Sequence, residues 1–314
     1  IENHEIHIGS SIGISIYPDD TKDVSILQQY ADLAMYSVKG SGRNWYHFYT
    51  DSMQKDAEEY NKISNALRHA IEKQEFSMVY QPIIDAKTGK MASMESLIRW
   101  NSPELWNVSP AKFIPIAEND LFNIEAIGNW TLEAVCDQIN EWKKCWYQVP
   151  RITVNLSARQ FLKETFQQDL LQIISQRNIS PQEIGLEITE WSLFNDIYSA
   201  VTTVNNLSNL GFTILIDDFG TGYSNLHYIS KFSAWVIKID RSFISTMDQE
   251  ENSQIIKLII TLAHSLWMKV VAEWVEEIWQ YEYLQSLECD FIQGYYCGRP
   301  GSPEDVIGKF EKKK

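Results

Sequence analysis

Basic side chains are in short supply. The 314 residues carry 27 Lys and Arg against 42 Asp and Glu, a formal charge of −15. An extended nucleic-acid backbone needs clustered cations, so the balance argues against DNA or RNA duplexes as partners. A small anionic ligand stays open, provided metal ions or a few placed cations neutralise it. Cysteine is scarce too: Cys136, Cys145, Cys289 and Cys297 form no C-x-x-C pair, and no histidine stands at zinc-finger spacing from them. Structural zinc and a disulfide framework are disfavoured. The start shows no signal-peptide pattern, and the longest apolar stretch, 255–267, is interrupted by Lys257 and His264. That stretch is too short to span about 30 Å of hydrocarbon. The expectation is a cytoplasmic protein, alone or as the cytoplasmic part of a larger sensor, with no membrane contact in this chain. Apolar residues are plentiful at 44%, with 12% aromatic, which is enough to rule out disorder as the main character.

The length suggests two domains, or one large barrel with an appendage. Residues 6–17 are β-rich, Pro18-Asp19-Asp20 turns the chain, 24–39 has helical periodicity, and 45–49 is again strand-like. This piece is too small to hold a sizeable core alone. Residues 58–75 read as a helix leading onward. Then short apolar runs alternate with helical stretches: 78–82, 91–100, 152–156, 184–188, 212–216, 236–239, 269–272 and 291–296. Eight strands over roughly 230 residues is the rhythm of a (β/α)8 TIM-like barrel, although doubly wound sheets share the alternation.

Polar residues recur within these runs or at their C-terminal edges: Glu95, Asn155, Glu187 with Glu190, Asp217-Asp218, Lys238, Glu273 with Glu276, and Gln293. A single one reads best as a solvated loop acid. The set reads differently, because barrel enzymes build active sites from the C-terminal ends of different strands. Burying this much negative charge requires cations. An all-oxygen donor set without His or Cys favours hard divalent ions, Mg²⁺ or Mn²⁺. Lys238 lies between apolar neighbours, as a salt-bridged core lysine would, and among metal-bound acids it can also orient a water. Gly220-Thr221-Gly222-Tyr223-Ser224 completes neither G-x-G-x-x-G nor a P-loop, so it reads as a tight loop beside the site.

An ordered series of motifs now stands out. It begins with Tyr80-Gln81-Pro82-Ile83, Glu95-Ser96-Leu97-Ile98-Arg99-Trp100 and Asn155-Leu156-Ser157-Ala158-Arg159-Gln160-Phe161. Glu187-Ile188-Thr189-Glu190, Asp217-Asp218-Phe219-Gly220-Thr221-Gly222-Tyr223-Ser224 and Lys238-Ile239-Asp240-Arg241-Ser242-Phe243-Ile244 follow. Val271-Ala272-Glu273-Trp274-Val275-Glu276 and Gln293-Gly294-Tyr295 end it. The series resembles the EAL-domain cyclic-di-GMP phosphodiesterases over about residues 58–303. The N-terminal piece, with Ala31-Asp32-Leu33-Ala34-Met35-Tyr36 and Gly42-Arg43-Asn44, resembles the tail of a GGDEF domain whose signature is absent. The expected layout is a GGDEF remnant at 1–52, a linker helix at 53–75 and the barrel at 76–314.

The resemblance implies metal-dependent opening of cyclic-di-GMP to linear pGpG, in a homodimer. It implies that Glu95, Asn155, Glu187 and Asp217 hold one ion, and Asp217, Asp218 and Glu273 a second. Lys238 and Glu273 then position or deprotonate the attacking water. Arg99 and the neighbouring Leu97 contact substrate, with Gln81 and Gln293 supporting the site. Glu190, Glu276 and the loop Phe219, Gly220, Thr221, Gly222, Tyr223 and Ser224 support the site and couple metal occupancy to dimer packing. Ca²⁺ is expected to inhibit.

Two departures from the family pattern matter. The namesake triplet is Glu95-Ser96-Leu97, with Ser for Ala, which keeps the metal-binding Glu. Trp45, Trp106, Trp146, Trp267 and Trp274 fall where family members commonly have Gly. One explanation is divergence, with Trp274 crowding Glu273. The other is a genetic code in which UGA is read as glycine. Two function classes follow: an active phosphodiesterase, and an impaired domain that binds cyclic-di-GMP as a receptor. Impaired members usually lose several metal or lysine positions, and this chain keeps all of them, so activity is expected.

Overall fold

The structure, a computed structural model, describes residues 9–40, 44–195, 197–221 and 229–310. The chain divides into two compact units, Ile1–His69 and Ala70–Lys314. In the first, strands β1 (Ile12–Ile14) and β2 (Tyr46–Phe48) pair in parallel around helix α1 (Val24–Gly40), and α2 (Asp51–Ala70) follows. A Cβ at Gly13 would lie 1.9 Å from the Ala31 carbonyl, so only glycine lets β1 approach α1 this closely. The helix expected at 58–75 starts and ends earlier, and Gly42 and Arg43 lie outside the described residues.

In the second unit all eight expected strands are present. They are β3 (Phe76–Asp85), β4 (Met91–Ser102), β6 (Arg151–Leu156), β7 (Ile184–Thr189), β8 (Thr213–Phe219), β9 (Val236–Ile239), β10 (Lys269–Ala272) and β11 (Phe291–Gln293). A short β5 (Trp106–Val108) hangs on β4. The pairing order runs β3-β11-β10-β9-β8-β7-β6-β4, and β3 pairs with β4, which closes the barrel. Between the strands lie α3 (Pro110–Asn119), α4 (Leu121–Lys144), α5 (Ala158–Phe161), α6 (Phe166–Gln176), α7 (Glu190–Asn195) and α8 (Ile197–Asn209). Helices α9 (Arg241–Ile244), α10 (Glu250–Ser265), α11 (Ile278–Ser286) and α12 (Pro303–Ile307) complete the unit.

The first barrel strand runs against both neighbours, whereas the others are parallel. The reason is local: β3 and β4 are joined by a tight turn with no crossover helix, and such a connection reverses the chain. Asp85 ties that turn, accepting from Thr88 N at 2.7 Å, and Gly89 supplies its left-handed residue at φ 68°.

Strand alternation positions the site. Residues i and i+2 share a face. Met94, Val154, Leu186, Ile188, Ile214 and Ile216 are buried in the main core between sheet and helices. The opposite face of each strand fills the barrel. Inside it Ile83, Leu215, Val236 and Val271 form a separate apolar plug. Two residues further along lie Asp217 after Leu215, Lys238 after Val236 and Glu273 after Val271. The plug is therefore the floor beneath the polar residues.

Candidate active site

Lys238 is 1% exposed and stands at the centre of the polar layer. Its Nζ lies 2.5 Å from Glu187 Oε2, 2.8 Å from Glu273 Oε1, 3.3 Å from Asp217 Oδ1 and 3.6 Å from Glu95 Oε2. Four different strands, or the residue following one, thus converge on one ammonium. A polar chain extends sideways from Glu95. Its Oε1 accepts from Asn155 Nδ2 at 2.7 Å and its Oε2 from Gln293 Nε2 at 2.6 Å. Gln293 also donates to Gln81 Oε1 at 3.2 Å, and Gln81 donates to the Gly298 carbonyl. Ser96, the departure in the namesake triplet, is harmless because its buried hydroxyl donates to the Thr153 carbonyl at 2.7 Å.

Charge balance sets the protonation of the cluster. Burial pushes the Glu187 carboxyl up to about 8, with Glu95 adding to the rise and Lys238 opposing it. Burial also lifts Glu273 well above the usual carboxylate range, against the pull of Lys238. Asp218 rises to about 6 through burial and the charge of Asp217. Burial alone would lower Lys238, but Asp217, Glu187, Glu273 and Glu95 together hold it well above its ordinary value. Among the described residues one lysine therefore serves a group of acids it cannot neutralise.

The residues fit divalent metal. Carboxylate oxygens of Asp217, Asp218 and Glu273 lie within 4.8 Å of one another. Among the described residues, the buried Glu187 Oε1 and Gln293 Oε1 find no hydrogen-bond partner. An unpaired buried acceptor costs about 1–3 kcal/mol, which a bound cation removes. Hard oxygen donors suit Mg²⁺-class ions.

Beside the acids opens a cavity of about 300 Å³, lined by Leu97, Arg99, Asn155, Glu118, Gln160 and Thr189. Burial lowers the Arg99 guanidinium from its ordinary value, although Glu95 and Tyr295 oppose the shift. The cavity takes in Leu97 and Arg99, the two residues that the family resemblance implies as substrate contacts. Glu118 and Gln160 are brought to it by helices α3 and α5, and no spacing along the chain signals their place there.

Glu190 is 2% exposed and its Oε2 accepts from Gly220 N at 2.9 Å, so it anchors the loop after β8. Gly220 has φ 97°, and a Cβ there would meet Phe243 at 2.8 Å. Phe219 is buried, and Thr221 Oγ1 donates to the Asp218 carbonyl at 2.8 Å. Gly222, Tyr223 and Ser224 lie outside the described residues. Glu276 is exposed and stays outside the acid cluster, its backbone N–H donating to Gln280 Oε1 at 2.8 Å. Trp274 does not displace Glu273. Its indole lies under the Arg241 guanidinium, 4.4 Å from the ring centre, and 6.2 Å from Tyr295.

Comparison with known proteins settles the family. The EAL domain model matches residues 64–300. The chain belongs to the EAL-domain family. The bifunctional diguanylate cyclase/cyclic di-GMP phosphodiesterase MucR of Pseudomonas aeruginosa is 36% identical over 308 residues, which cover 98% of this chain and 45% of MucR. The cyclic di-GMP phosphodiesterase NbdA of the same species is 30% identical over 301 residues, 96% of this chain and 38% of NbdA. This chain thus spans less than half of these curated relatives. Among solved structures, the PaMucR phosphodiesterase in complex with c-di-GMP superposes with a TM-score of 0.75 at 34% identity, covering 78% of this chain and 99% of that one. In this EAL domain, Glu95 of the namesake triplet joins the lysine of the site to its amides, Asn155 and Gln293.

Proposed function

We propose that this EAL domain hydrolyses one phosphodiester of cyclic-di-GMP to give linear pGpG. The observation that carries the reading is the buried Lys238 held among Glu95, Glu187, Asp217 and Glu273 beside an open cavity. The c-di-GMP complex of the PaMucR phosphodiesterase supports the choice of ligand. Two divalent ions, Mg²⁺ or Mn²⁺, belong here, one on Glu95, Asn155, Glu187 and Asp217, the other on Asp217, Asp218 and Glu273. When bound, such ions polarise the scissile phosphate and acidify an attacking water.

The chain's own residues do the rest. Glu273 accepts the proton of the attacking water in its ionised form, which Lys238 favours against the burial that raises its pKa, and Lys238 aims it. Arg99 meets substrate phosphate, and Leu97 covers an apolar face of the ligand. Gln81 and Gln293 hold Glu95 in place. Water adds across one P–O bond, leaving a phosphate on one nucleotide and a hydroxyl on the other. Glu190, through Gly220, links the acid pair to a loop that we assign to homodimer packing. The N-terminal unit is read as a GGDEF tail, since the similarity to MucR spans 98% of this chain, well beyond the EAL match. A cytoplasmic site of action agrees with four free thiols.

The decisive assay incubates purified chain with cyclic-di-GMP, with EDTA or with Mg²⁺, and separates products by chromatography. Appearance of pGpG only with the ion is the expected result. Tight binding without any cleavage at saturating Mg²⁺ or Mn²⁺ would overturn the reading in favour of a receptor.

A further inference from the structure

We infer that positions 106, 146, 267 and 274 are glycine in the protein made in its own cells, through decoding of UGA as glycine. The backbone carries this, independently of the catalytic reading. Nine non-glycine residues described here have positive φ, and four of them are tryptophans: Trp106 at 61°, Trp146 at 62°, Trp267 at 61° and Trp274 at 54°. Tryptophan accounts for only 11 of 314 residues, so chance would place fewer than about one among nine. Bulky residues are outliers in this region, which glycine enters freely.

Each of the four has a local geometry that asks for glycine. Trp267 follows α10 with two helix-ending bonds, Trp267 N to the His264 carbonyl at 3.1 Å and Met268 N to the Ala263 carbonyl at 2.9 Å. Trp146 repeats the pattern after α4, with Trp146 N to the Lys143 carbonyl at 3.0 Å and Tyr147 N to the Trp142 carbonyl at 3.3 Å. This left-handed cap is the position where helices most often carry glycine. The same cap after α8 does carry it, in Gly211 at φ 101°. Trp106 pairs with Ser102 where the three-residue loop re-enters β5, and its φ of 61° is a hairpin-turn conformation that glycine takes without strain. Trp274 turns the chain so that Glu273 faces Lys238 while Val275 N bonds the Gln293 carbonyl at 3.0 Å.

The side chains give a second, separate observation. The four indoles are 82%, 73%, 93% and 40% exposed. The caps at Gln74, Asn178 and Glu288 also lack glycine, but their side chains are polar and suit water. By contrast Trp100 and Trp142 are fully buried, and Trp100 donates to Glu75 at 2.8 Å, as tryptophans with a structural purpose do. Glycine itself is scarce, 14 of 314 residues against about 7% in ordinary proteins. Trp45, which also falls where family members commonly have Gly, lies outside the left-handed region and is not included. With glycine at 274, Arg241 loses its indole platform.

Two measurements test this. The coding DNA and tryptic peptides of the chain isolated from its source cells are read at the four positions and at Trp100 and Trp142. UGA codons with glycine masses at the four, and UGG with tryptophan at the two controls, is the expected result. Tryptophan at the four overturns the proposal. The second measurement uses chain produced in a host with the standard code. Replacing all four tryptophans by glycine should raise the thermal midpoint by several degrees, and Trp100→Gly should lower it. A lower midpoint in the four-glycine variant would overturn the backbone argument.

Discussion

Removing metal should make this barrel less stable as pH rises from 5 to 8. The perturbation is EDTA treatment, and the sensitive group is Glu187. Its folded-state pKa is raised from 4.5 to about 8, so the folded chain holds a proton that the unfolded chain has released. A group with a raised folded pKa contributes stability that is full below the unfolded value and is lost as pH climbs through the folded one. Glu273 and Asp218 are shifted the same way, and Lys238, raised well above its ordinary value, stays charged across the window. At about 1.4 kcal/mol per unit, Glu187 alone removes roughly 3 to 4 kcal/mol between pH 5 and 8. For a unit of this size that is about 10 °C in the thermal midpoint. Added Mg²⁺ takes the place of the proton, so its stabilisation should be larger at pH 8 than at pH 5. The assay is calorimetry of the barrel transition at both pH values, with EDTA and with Mg²⁺, on the wild type and on Glu187→Gln. The variant should show a flatter slope. A midpoint in EDTA that is flat or rises with pH, or an equal Mg²⁺ effect at both, refutes the reasoning.

Glu95→Ala and Asp217→Ala should each abolish turnover, since each removes an acid from the lysine cluster and, in the proposed assignment, a metal donor, at a cost of several kcal/mol in the transition state; near-normal rates in a single-turnover assay at saturating Mg²⁺ would contradict the assignment. Glu273→Gln should bind cyclic-di-GMP by calorimetry yet lose turnover, because an amide keeps the shape but takes no proton. Equal loss of binding and turnover would instead make Glu273 a binding residue. Ca²⁺ should suppress the Mg²⁺-supported rate, as its longer bonds and looser geometry suit the reaction poorly; a titration that leaves the rate unchanged argues against shared sites.

Much of this molecule can be read from the chain, and the particular residues show why. The run Val236-Ile237-Lys238-Ile239 alternates a polar group with aliphatics inside a strand buried on both faces, so Lys238 can only point into the barrel. The same alternation exposes Glu95, Glu187 and Asp217 to it. The reversed direction of β3 is carried by connection length, since the residues 83–90 between its run and the next are too few for a crossover helix, and not by periodicity, which is identical in parallel and antiparallel pairs. Nor was the fourfold pairing of Lys238, which depends on strands brought together by closure. The helix-borne cavity residues Glu118 and Gln160 carry no periodic mark at all. Trp274 was legible as odd from its place in the motif series, but only its backbone angle shows what kind of oddity it is.

The closing seam between β3 and β11 has a consequence for synthesis. Ile84 pairs with Ile292, and Glu95 receives the hydrogen bond of Gln293 across 198 positions of sequence. A chain emerging from the ribosome has made nearly all of its strands before the one that seals the cylinder exists. Until then β3 presents an open edge, ready to pair with whatever extended segment is near. The last-made strand thus both covers that edge and steadies the first acid of the site. The acid cluster should therefore be completed abruptly, once β11 has been made, in the same event that removes the hazard.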